Sequence, residues 1–243
     1  MEEKYSISIR GYKDSDLIEN VTLHLENPGT LAETVAAKGI NMDVVSGMTL
    51  TGKVDVRDFA WLKDQLLERI DMGKTSVQAY GENEANAIPR SAFAYCYNLR
   101  RFVMPEGITK ISNNAFMLTG LETITIQAGV EYIGLNVFFN CQSLSEVYVY
   151  NPEPVFINWC VLIGTLRDQG GTLHVPAGSK EKYAGYAEWR DFTNIIDDLP
   201  VVSVREVRVT EGEVPRIYDL SGRRMLHPRA GLYIVDGKKM WLK

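Results

Sequence analysis

The sequence has little of the chemistry that marks a nucleic-acid-binding or membrane-spanning protein. Its 243 residues contain 26 Lys and Arg against 31 Asp and Glu, which gives a net charge of -5. A polyanion needs a basic footprint, so we expect no nucleic-acid partner. No apolar run approaches the roughly 18 to 20 residues that cross a bilayer, so we also expect no membrane-spanning segment.

The start of the sequence lacks the basic and apolar regions of a signal peptide. Residues 1–16, "MEEKYSISIRGYKDSD", are acidic and alternate between polar and apolar. Taken literally, this start predicts a cytoplasmic protein. A mature protein whose signal was removed and replaced by Met1 fits equally well.

Residues with the spacing of a catalytic, metal or cofactor site are also missing. His24, His174 and His227 lie in three separate segments, and none has metal-ligand spacing to a cysteine or to another histidine. No G-x-S-x-G motif occurs. The stretch Gly73-Lys74-Thr75 matches the end of a phosphate-binding loop, but Glu68 stands where that loop requires glycine. We therefore predict no cofactor, no metal and no enzymatic activity.

What the sequence does contain is a repeat of 22 to 23 residues. Three apolar columns recur at this spacing, namely Ile88, Ile111 and Ile133, then Phe93, Phe116 and Phe138, and then Leu99, Leu121 and Leu144. A fixed period of this length indicates stacked structural units. One unit alone cannot cover its apolar face, so the pattern predicts a solenoid with a continuous core.

Each repeat unit continues as a short strand. Apolar residues occupy the third and fifth positions after each leucine of the repeat, as Phe102 and Met104, Ile124 and Ile126, and Val147 and Val149. A spacing of two places them on one buried face of a strand. Gly107 and Gly129 follow and suit the turn out of the strand.

Three cysteines are too few, and odd in number, for a disulfide scaffold. Cys96 and Cys141 occupy matching positions two units apart, with Thr119 between them, and Cys160 lies further on. Two strand spacings place the Cα atoms of Cys96 and Cys141 about 10 Å apart, whereas a disulfide needs about 4.4 to 6.8 Å. The pattern predicts two buried thiols that are not bonded to each other.

The apolar spacing predicts further elements on both sides of the three clear units. They are a strand with Met48 and Leu50, an amphipathic helix with Phe59, Leu62 and Leu66, a strand with Leu67, Ile70 and Met72, a last strand with Leu173 and Val175, and a closing helical cap with Tyr183, Trp189 and Phe192. Near the start, "YSISI" and "NVTLHLENPG" favour strands of an N-terminal cap.

The units "IPRSAFAYCYNLRRFVMPEGITK", "ISNNAFMLTGLETITIQAGVEY" and "IGLNVFFNCQSLSEVYVY" resemble the BspA-like class of bacterial leucine-rich repeats, whose pattern runs I-x-x-x-A-F-x-x-C-x-x-L-x-x-I-x-L-P. The resemblance covers about residues 46–197 and includes "LHVPAGSKEKYAGYAEWRDFTNI". It departs from the pattern at Thr119, which replaces cysteine, and at an insertion around "GKTSVQAYGENEA". It implies an α/β leucine-rich-repeat solenoid, with short parallel strands and an irregular or short helical convex side.

The tail "IYDLSGRRMLHPRAGLYIVDGKKMWLK" resembles the C-terminal sorting module of proteins exported by the type IX secretion system. From the residues alone, strands are expected at 204–209, 216–219 and 232–235, with Asp236-Gly237 as a hairpin turn. A plain β-module is the alternative interpretation. The resemblance implies export to the cell surface or the outside, with the signal peptide already removed.

These patterns together predict three domains. They are an N-terminal β-rich cap at 1–45, a leucine-rich-repeat solenoid with a closing helical cap at 46–197, and a small C-terminal β-module at 198–243. Both resemblances together imply an exported protein that lies outside the cell or on the outer-membrane surface.

The candidate binding residues are those that alternate with the buried strand residues. We call this set the strand strip, and it consists of Arg69, Asp71, Arg101, Val103, Thr123, Thr125, Glu146, Tyr148 and Tyr150. Arginine and tyrosine are enriched at binding hot spots, so the strip predicts a protein or glycan partner. The family resemblance implies that this partner lies on a host surface or matrix. A merely solvated sheet face is the alternative, and the loop with Trp159 is a weaker candidate.

The leading functional interpretation is a non-enzymatic surface protein that mediates protein-protein interaction or adhesion, as the family resemblance implies. The alternative is a glycan-binding accessory protein that serves nutrient capture.

Overall fold

The chain divides into two compact units, residues 1–200 and 201–243. A computed structural model describes residues 18–157, 170–186, 189–190 and 192–200 of the first unit, and the backbone of 217–218, 231–235 and 238–242 of the second. The predicted boundaries at residues 45 and 197 stay predictions.

The first unit consists mostly of short strands with a few helices. Its described strands are β1 (Val21–Leu25), β2 (Gly47–Val54), β3 (Arg69–Val77), β4 (Ala87–Ile88), β5 (Arg101–Val103), β6 (Lys110–Ile111), β7 (Thr123–Ile126), β8 (Tyr132–Ile133), β9 (Glu146–Val149), β10 (Phe156–Ile157), β11 (Thr172–Pro176) and β12 (Asn194–Leu199). Its described helices are α1 (Leu31–Ala37), α2 (Val56–Lys63), α3 (Lys180–Gly185) and a 3-10 helix at Met42–Val44.

These strands pair in parallel in three sheets. Sheet A has the order β1-β2-β3-β5, sheet B the order β7-β9-β11-β12, and sheet C the order β4-β6-β8-β10. Sheets A and B are neighbours, because the Glu122 N–H next to β7 donates to the Arg100 carbonyl next to β5 at 3.1 Å. Each strand is followed by a connection that returns the chain to the same edge of the sheet, so that the next strand pairs in parallel. This arrangement is compatible with an α/β repeat fold.

The predicted apolar columns form the core. All nine residues of the isoleucine, phenylalanine and leucine columns are at most 1% exposed, as the repeat predicted. The ring centroids of Phe93 and Phe116 lie 5.6 Å apart, and those of Phe116 and Phe138 lie 5.7 Å apart, with near-parallel planes. Burying a side chain of this size stabilises the fold by about 1.5 to 3 kcal/mol, so this column contributes in every repeat unit.

The turns opposite the strands repeat an unusual backbone conformation. Positive φ angles occur at two matching sets of non-glycine residues, namely Ser91 (56°), Asn114 (60°) and Asn136 (55°), and Tyr95 (70°), Leu118 (58°) and Asn140 (55°). Neighbouring turns are hydrogen-bonded, since the Phe93 N–H donates to the Ala115 carbonyl at 2.7 Å. Asparagine tolerates this region, but tyrosine and leucine occupy it at a steric cost.

The structure places Cys96 and Cys141 apart, as predicted. Cys96 carries a thiol, so no disulfide joins it to Cys141. Cys141 is buried with its Sγ 3.0 Å from the Phe116 carbonyl oxygen, whereas Cys96 is only half-buried, with its Sγ 3.6 Å from the Lys63 carbonyl oxygen. Burial still raises the pKa of Cys96 to about 11. Cys160 lies outside the described residues.

Residues 18–45 are less strand-rich than predicted. They contain the strand β1, but α1 and the 3-10 helix follow it. The strand β1 pairs in register with β2, with Val21 opposite Met48, and so extends sheet A by one strand. The stretch "YSISI" lies outside the described residues.

A buried carboxylate ties the two N-terminal helices together. Asp58 is 1% exposed, and its Oδ2 accepts hydrogen bonds from the N–H groups of Gly29 (2.6 Å) and Asp55 (2.9 Å). Its Oδ1 accepts from the Leu31 N–H at 3.0 Å. Thr30 makes no side-chain cap for α1, so Asp58 satisfies backbone donors that this helix start would otherwise leave unpaired.

At the C-terminal end of the first unit, the structure differs from the predicted last strand and helical cap. β11 forms as expected but is not the last strand, because β12 pairs with it in parallel. The predicted helical cap is therefore a six-residue helix, α3, followed by a strand. Tyr183 and Trp189 are buried as predicted, and the Trp189 Nε1 donates to the Val155 carbonyl at 2.8 Å.

The second unit contains a three-stranded antiparallel sheet of β13 (Ile217–Tyr218), β14 (Gly231–Val235) and β15 (Lys238–Leu242). Strands were predicted at 216–219 and 232–235, and β13 and β14 overlap both ranges. Val235 pairs with Lys238 in the antiparallel register of β14 and β15. The predicted turn Asp236-Gly237 and the predicted strand 204–209 lie outside the described residues.

Removing the Asp58 carboxylate should destabilise the first unit. Asp58→Ala leaves three backbone N–H groups near the two helix starts without an acceptor, so we expect the free energy of unfolding to fall by about 3 kcal/mol. Urea denaturation followed by circular dichroism measures this loss. Asp43→Ala, at an exposed aspartate, is the matched control, and an equal loss in both variants would contradict the role of Asp58.

Relieving the backbone strain at Tyr95 should stabilise the fold. Tyr95→Asn installs the residue type that occupies the matching position 140, and we expect a gain of about 1 kcal/mol in the free energy of unfolding. Tyr97→Asn is the control, since Tyr97 is similarly exposed, contacts the Tyr95 ring and is absent from the positive-φ residues. A gain in both variants, or in neither, would show that strain at residue 95 is not the cause.

Candidate interaction surface

The strand strip lies on the outward faces of sheets A and B. Arg69 is in register with Arg101, and Asp71 with Val103. In sheet B, Thr123 is opposite Glu146 and Thr125 is opposite Tyr148. Eight of the nine predicted residues therefore stand in two adjacent rows. The ninth, Tyr150, follows the end of β9 and is half-buried.

Four of the predicted residues line one shallow groove on sheet A. The groove has a volume of about 410 Å³ and is lined by Glu19, Asn20, Met48, Thr49, Arg69, Ile70, Asp71, Arg101 and Val103. Met48 and Ile70 are buried and face the core, so the accessible surface of the groove is formed mainly by the outward side chains of the other lining residues. A small number of polar groups that converge on one groove is a usual feature of a binding site.

Two arginines stand side by side in this groove. The Arg69 Nη2 donates to the Glu19 carbonyl at 2.7 Å and to the Ser46 Oγ at 2.9 Å, which holds this guanidinium in place. Across the strand pair, the Arg101 side chain is exposed and makes no hydrogen bond or ion pair with any described residue. Like charges opposite each other on paired strands are unfavourable, and a bound acceptor group would offset this repulsion.

The remaining groove residues supply acceptors as well as donors. The Asp71 Oδ1 accepts from the Gly73 N–H at 2.8 Å, and its carboxylate makes no ion pair with either arginine. The Asn20 Nδ2 donates to the Thr49 Oγ1 at 3.1 Å. The groove therefore offers cationic, anionic and neutral hydrogen-bonding groups within two rows of side chains.

At the other end of the strip, His174 lies between two carboxylates. Its Nε2 is 2.7 Å from the Glu146 Oε2, and its Nδ1 is 2.9 Å from the Asp198 Oδ1. The ring also stacks on Tyr148, with centroids 4.3 Å apart and an interplanar angle of 12°. Burial lowers the pKa of His174, but the hydrogen bonds to Asp198 and Glu146 outweigh it, so the net pKa is raised.

This cluster is not arranged to bind a metal. The two carboxylates contact opposite nitrogens of the His174 ring, so their oxygens do not converge with one nitrogen on a common point. Within the described part of the chain, no group of three or more His, Cys, Asp or Glu residues could hold a metal ion. The third histidine, His227, lies outside that part, as does Trp159.

Sequence reasoning missed several residues of this surface. Asn20 and Thr49 alternate with buried residues of β1 and β2 in the same way as the predicted strip, so strand alternation could have identified them. His174 alternates with Leu173 and was detectable by the same signal. Asp198 was not, because the sequence patterns assigned it to the separate C-terminal β-module that begins at residue 198.

Part of the chain is similar to a known repeat family. Residues 75–155 match the family model of the BspA type leucine rich repeat region, in six copies. The match spans about a third of the chain and lies inside the range of residues 46–197. No curated protein sequence matches the chain.

The repeat family suggests a protein-interaction role and is generally non-enzymatic. Its proteins are typically found at the surface or secreted. Among the helices that the structure describes, none combines the length and the apolar character needed to cross a membrane.

The His174 cluster makes stability depend on pH. Because the pKa of His174 is raised above the ordinary histidine value of about 6.5, its contribution is complete below about pH 6.5 and is lost as the pH rises through the folded-state pKa. We expect the free energy of unfolding to fall over this window in the wild type and to fall less in His174→Gln. Urea titrations from pH 5.5 to 8.5 test this, with His24→Gln as the control. An unchanged pH profile in His174→Gln would contradict the assignment.

Proposed function

We propose that this protein is an exported, non-enzymatic surface protein that binds another protein through the strand strip. The observation that carries the proposal is the groove in which the fixed guanidinium of Arg69 lies beside the unpaired Arg101. An exposed arginine without an intramolecular partner contributes nothing evident to the fold. It is available to a carboxylate or carbonyl group of a partner.

The dimensions of the surface suit a protein partner. Eight parallel strands at a spacing of about 4.8 Å extend over about 34 Å, if sheets A and B continue as one stack. A stable protein interface needs about 800 Å² on each partner, and a sheet face of this length is of the right order. In this proposal the repeats form a solenoid, and β1 and the segment from α3 to β12 act as its two ends.

The charges of the strip would orient a partner. Arg69 and Arg101 stand at the sheet A end, whereas Glu146 and Asp198 stand at the sheet B end. A partner with the opposite arrangement would bind in one direction, because the reverse direction juxtaposes like charges. Tyr148, on the same strand as Glu146, supplies an aromatic anchor at the sheet B end, with one ring face covered by His174.

The second unit supports export in this proposal. Its three antiparallel strands lie within the tail that resembles a type IX sorting module. The protein would then work as an adhesin, outside the cell or on the outer-membrane surface, on a host or matrix protein. Proteolysis of intact cells tests the location, since a surface protein is cut and a cytoplasmic one is not.

Binding through the strip should depend on Arg101 and Tyr148. We expect the purified chain to bind a protein on an array of extracellular-matrix proteins and glycans, and Arg101→Ala with Tyr148→Ala to weaken that binding at least tenfold. Arg190→Ala is the matched control, because Arg190 is also exposed and lies outside the strip. Binding that survives in the double variant would place recognition elsewhere, and a response to glycans alone would favour the accessory glycan-binding alternative.

A further inference from the structure

Sheet C carries an outward row that the repeat pattern does not require. In each of its strands an isoleucine points into the core, and the residue before it points outward. These residues are Ala87, Lys110, Tyr132 and Phe156, of which Ala87 is buried and the other three are at least partly exposed. Because alanine and lysine serve at this position, the fold does not demand the two aromatic residues at the end of the row.

The two aromatic rings form a partly exposed ledge. The centroids of Tyr132 and Phe156 lie 6.2 Å apart with an interplanar angle of 25°, and Phe156 is 51% exposed. The Lys110 Nζ lies 5.9 Å from the centroid of Tyr132 and 2.8 Å from the Glu84 Oε1. Apolar ring surface left in water is unfavourable, so a ligand that covers the ledge would be stabilised by its burial.

Beside the ledge lies a groove whose lining side chains can all donate hydrogen bonds. It has a volume of about 440 Å³, and its lining residues are Arg90, Lys110, Ser112, Asn113 and Tyr132. This volume falls within the range of about 300 to 1,000 Å³ that is usual for ligand sites. None of the lining residues is a carboxylate, although the protein as a whole is acidic.

Several of these donors have no partner in the described part of the chain. The Arg90 guanidinium is exposed and makes no hydrogen bond or ion pair there. The Asn113 Oδ1 accepts from the Leu135 N–H at 3.0 Å, which leaves the amide NH₂ group to donate elsewhere. Lys110 is neutralised by Glu84, so Arg90 is the cation available to a ligand.

A ligand that fits must present acceptors, a negative charge and an apolar face. We propose that the sheet C groove binds a carboxylate-bearing sugar, such as a uronic acid residue of a glycan. The apolar C–H face of the sugar ring covers the edges of Tyr132 and Phe156, and its carboxylate pairs with Arg90. This site is separate from the strand strip and does not depend on the function proposed for it.

An acidic peptide fits this groove less well. Each peptide unit brings an N–H donor that needs an acceptor, and among the lining side chains only the hydroxyls of Ser112 and Tyr132 can readily accept. Sugar hydroxyls can accept as well as donate, so a sugar meets a donor-rich wall without leaving its own donors unpaired.

Calorimetric titration of the full chain tests the proposal. The probes are a tetrasaccharide that contains glucuronic acid, the same tetrasaccharide with glucose in its place, and a glutamate-rich peptide of equal charge. We expect binding of the acidic tetrasaccharide and at least tenfold weaker binding of the neutral one. Arg90→Gln should weaken binding of the acidic sugar at least tenfold, and Phe156→Ser severalfold.

Arg190→Gln is the matched control, because it removes an exposed arginine that lines neither the strand-strip groove nor the sheet C groove. It should leave the sugar affinity within about twofold of the wild type, as weakly coupled distant sites do. Arg90→Lys should restore part of the affinity, and thermal melts should show that each variant is folded. The proposal is overturned by equal losses in Arg90→Gln and Arg190→Gln, by equal affinity for the peptide or for the neutral sugar, or by no binding in the wild type.

Discussion

The structure depends on the stacking of the same apolar side chains in every repeat unit. The column of Phe93, Phe116 and Phe138 shows this most directly, because the rings stack at 5.6 and 5.7 Å, close to the spacing of paired parallel strands. The Phe116 ring lies between the rings of the units before and after it, and the Phe93 ring also contacts Phe102 of its own unit. The burial of one unit therefore requires its neighbours, which makes the array cooperative along its length. The strands and turns follow from this stacking, since they return the chain to the same position once per unit.

The outward surfaces are a consequence of the buried ones. Side chains in a strand alternate between two faces, so burial of Ile124 and Ile126 directs Thr123 and Thr125 outward. Parallel register then aligns the outward side chains of successive units in rows. On sheets A and B these rows contain both charges, whereas on sheet C they end in two aromatic residues beside a donor-rich groove. The core does not restrict the outward positions, so the same fold can carry two surfaces with different chemistry.

The repeated turns show that the stacking is strong enough to impose local strain. Tyr95 and Leu118 adopt positive φ angles that ordinary side chains avoid, at the position where the next unit has Asn140. The inter-unit hydrogen bonds of these turns hold the backbone in this conformation whatever the residue, since the Tyr95 N–H donates to the Met117 carbonyl at 2.8 Å.

Stacking does not itself cover the two ends of the array, so each end is closed by other contacts. At the N-terminal end, Asp58 connects the starts of two helices that are 25 residues apart in sequence, from Leu31 to Val56.

The sequence by itself determined the repeat, the buried columns and the outward position of the strand strip, because each of these depends on periodicity that is visible within one or two units. It did not determine that β12 is a strand, because its burial pattern is irregular and its pairing with β11 decides its conformation. Nor did it show that His174 lies between Glu146 and Asp198, which are 28 and 24 residues away. Stacking brings together side chains about one unit apart, and only the tertiary structure decides which of their polar atoms meet. The physical reason is that burial repeats along the chain, whereas a hydrogen bond between two units depends on the register and rotamer of both.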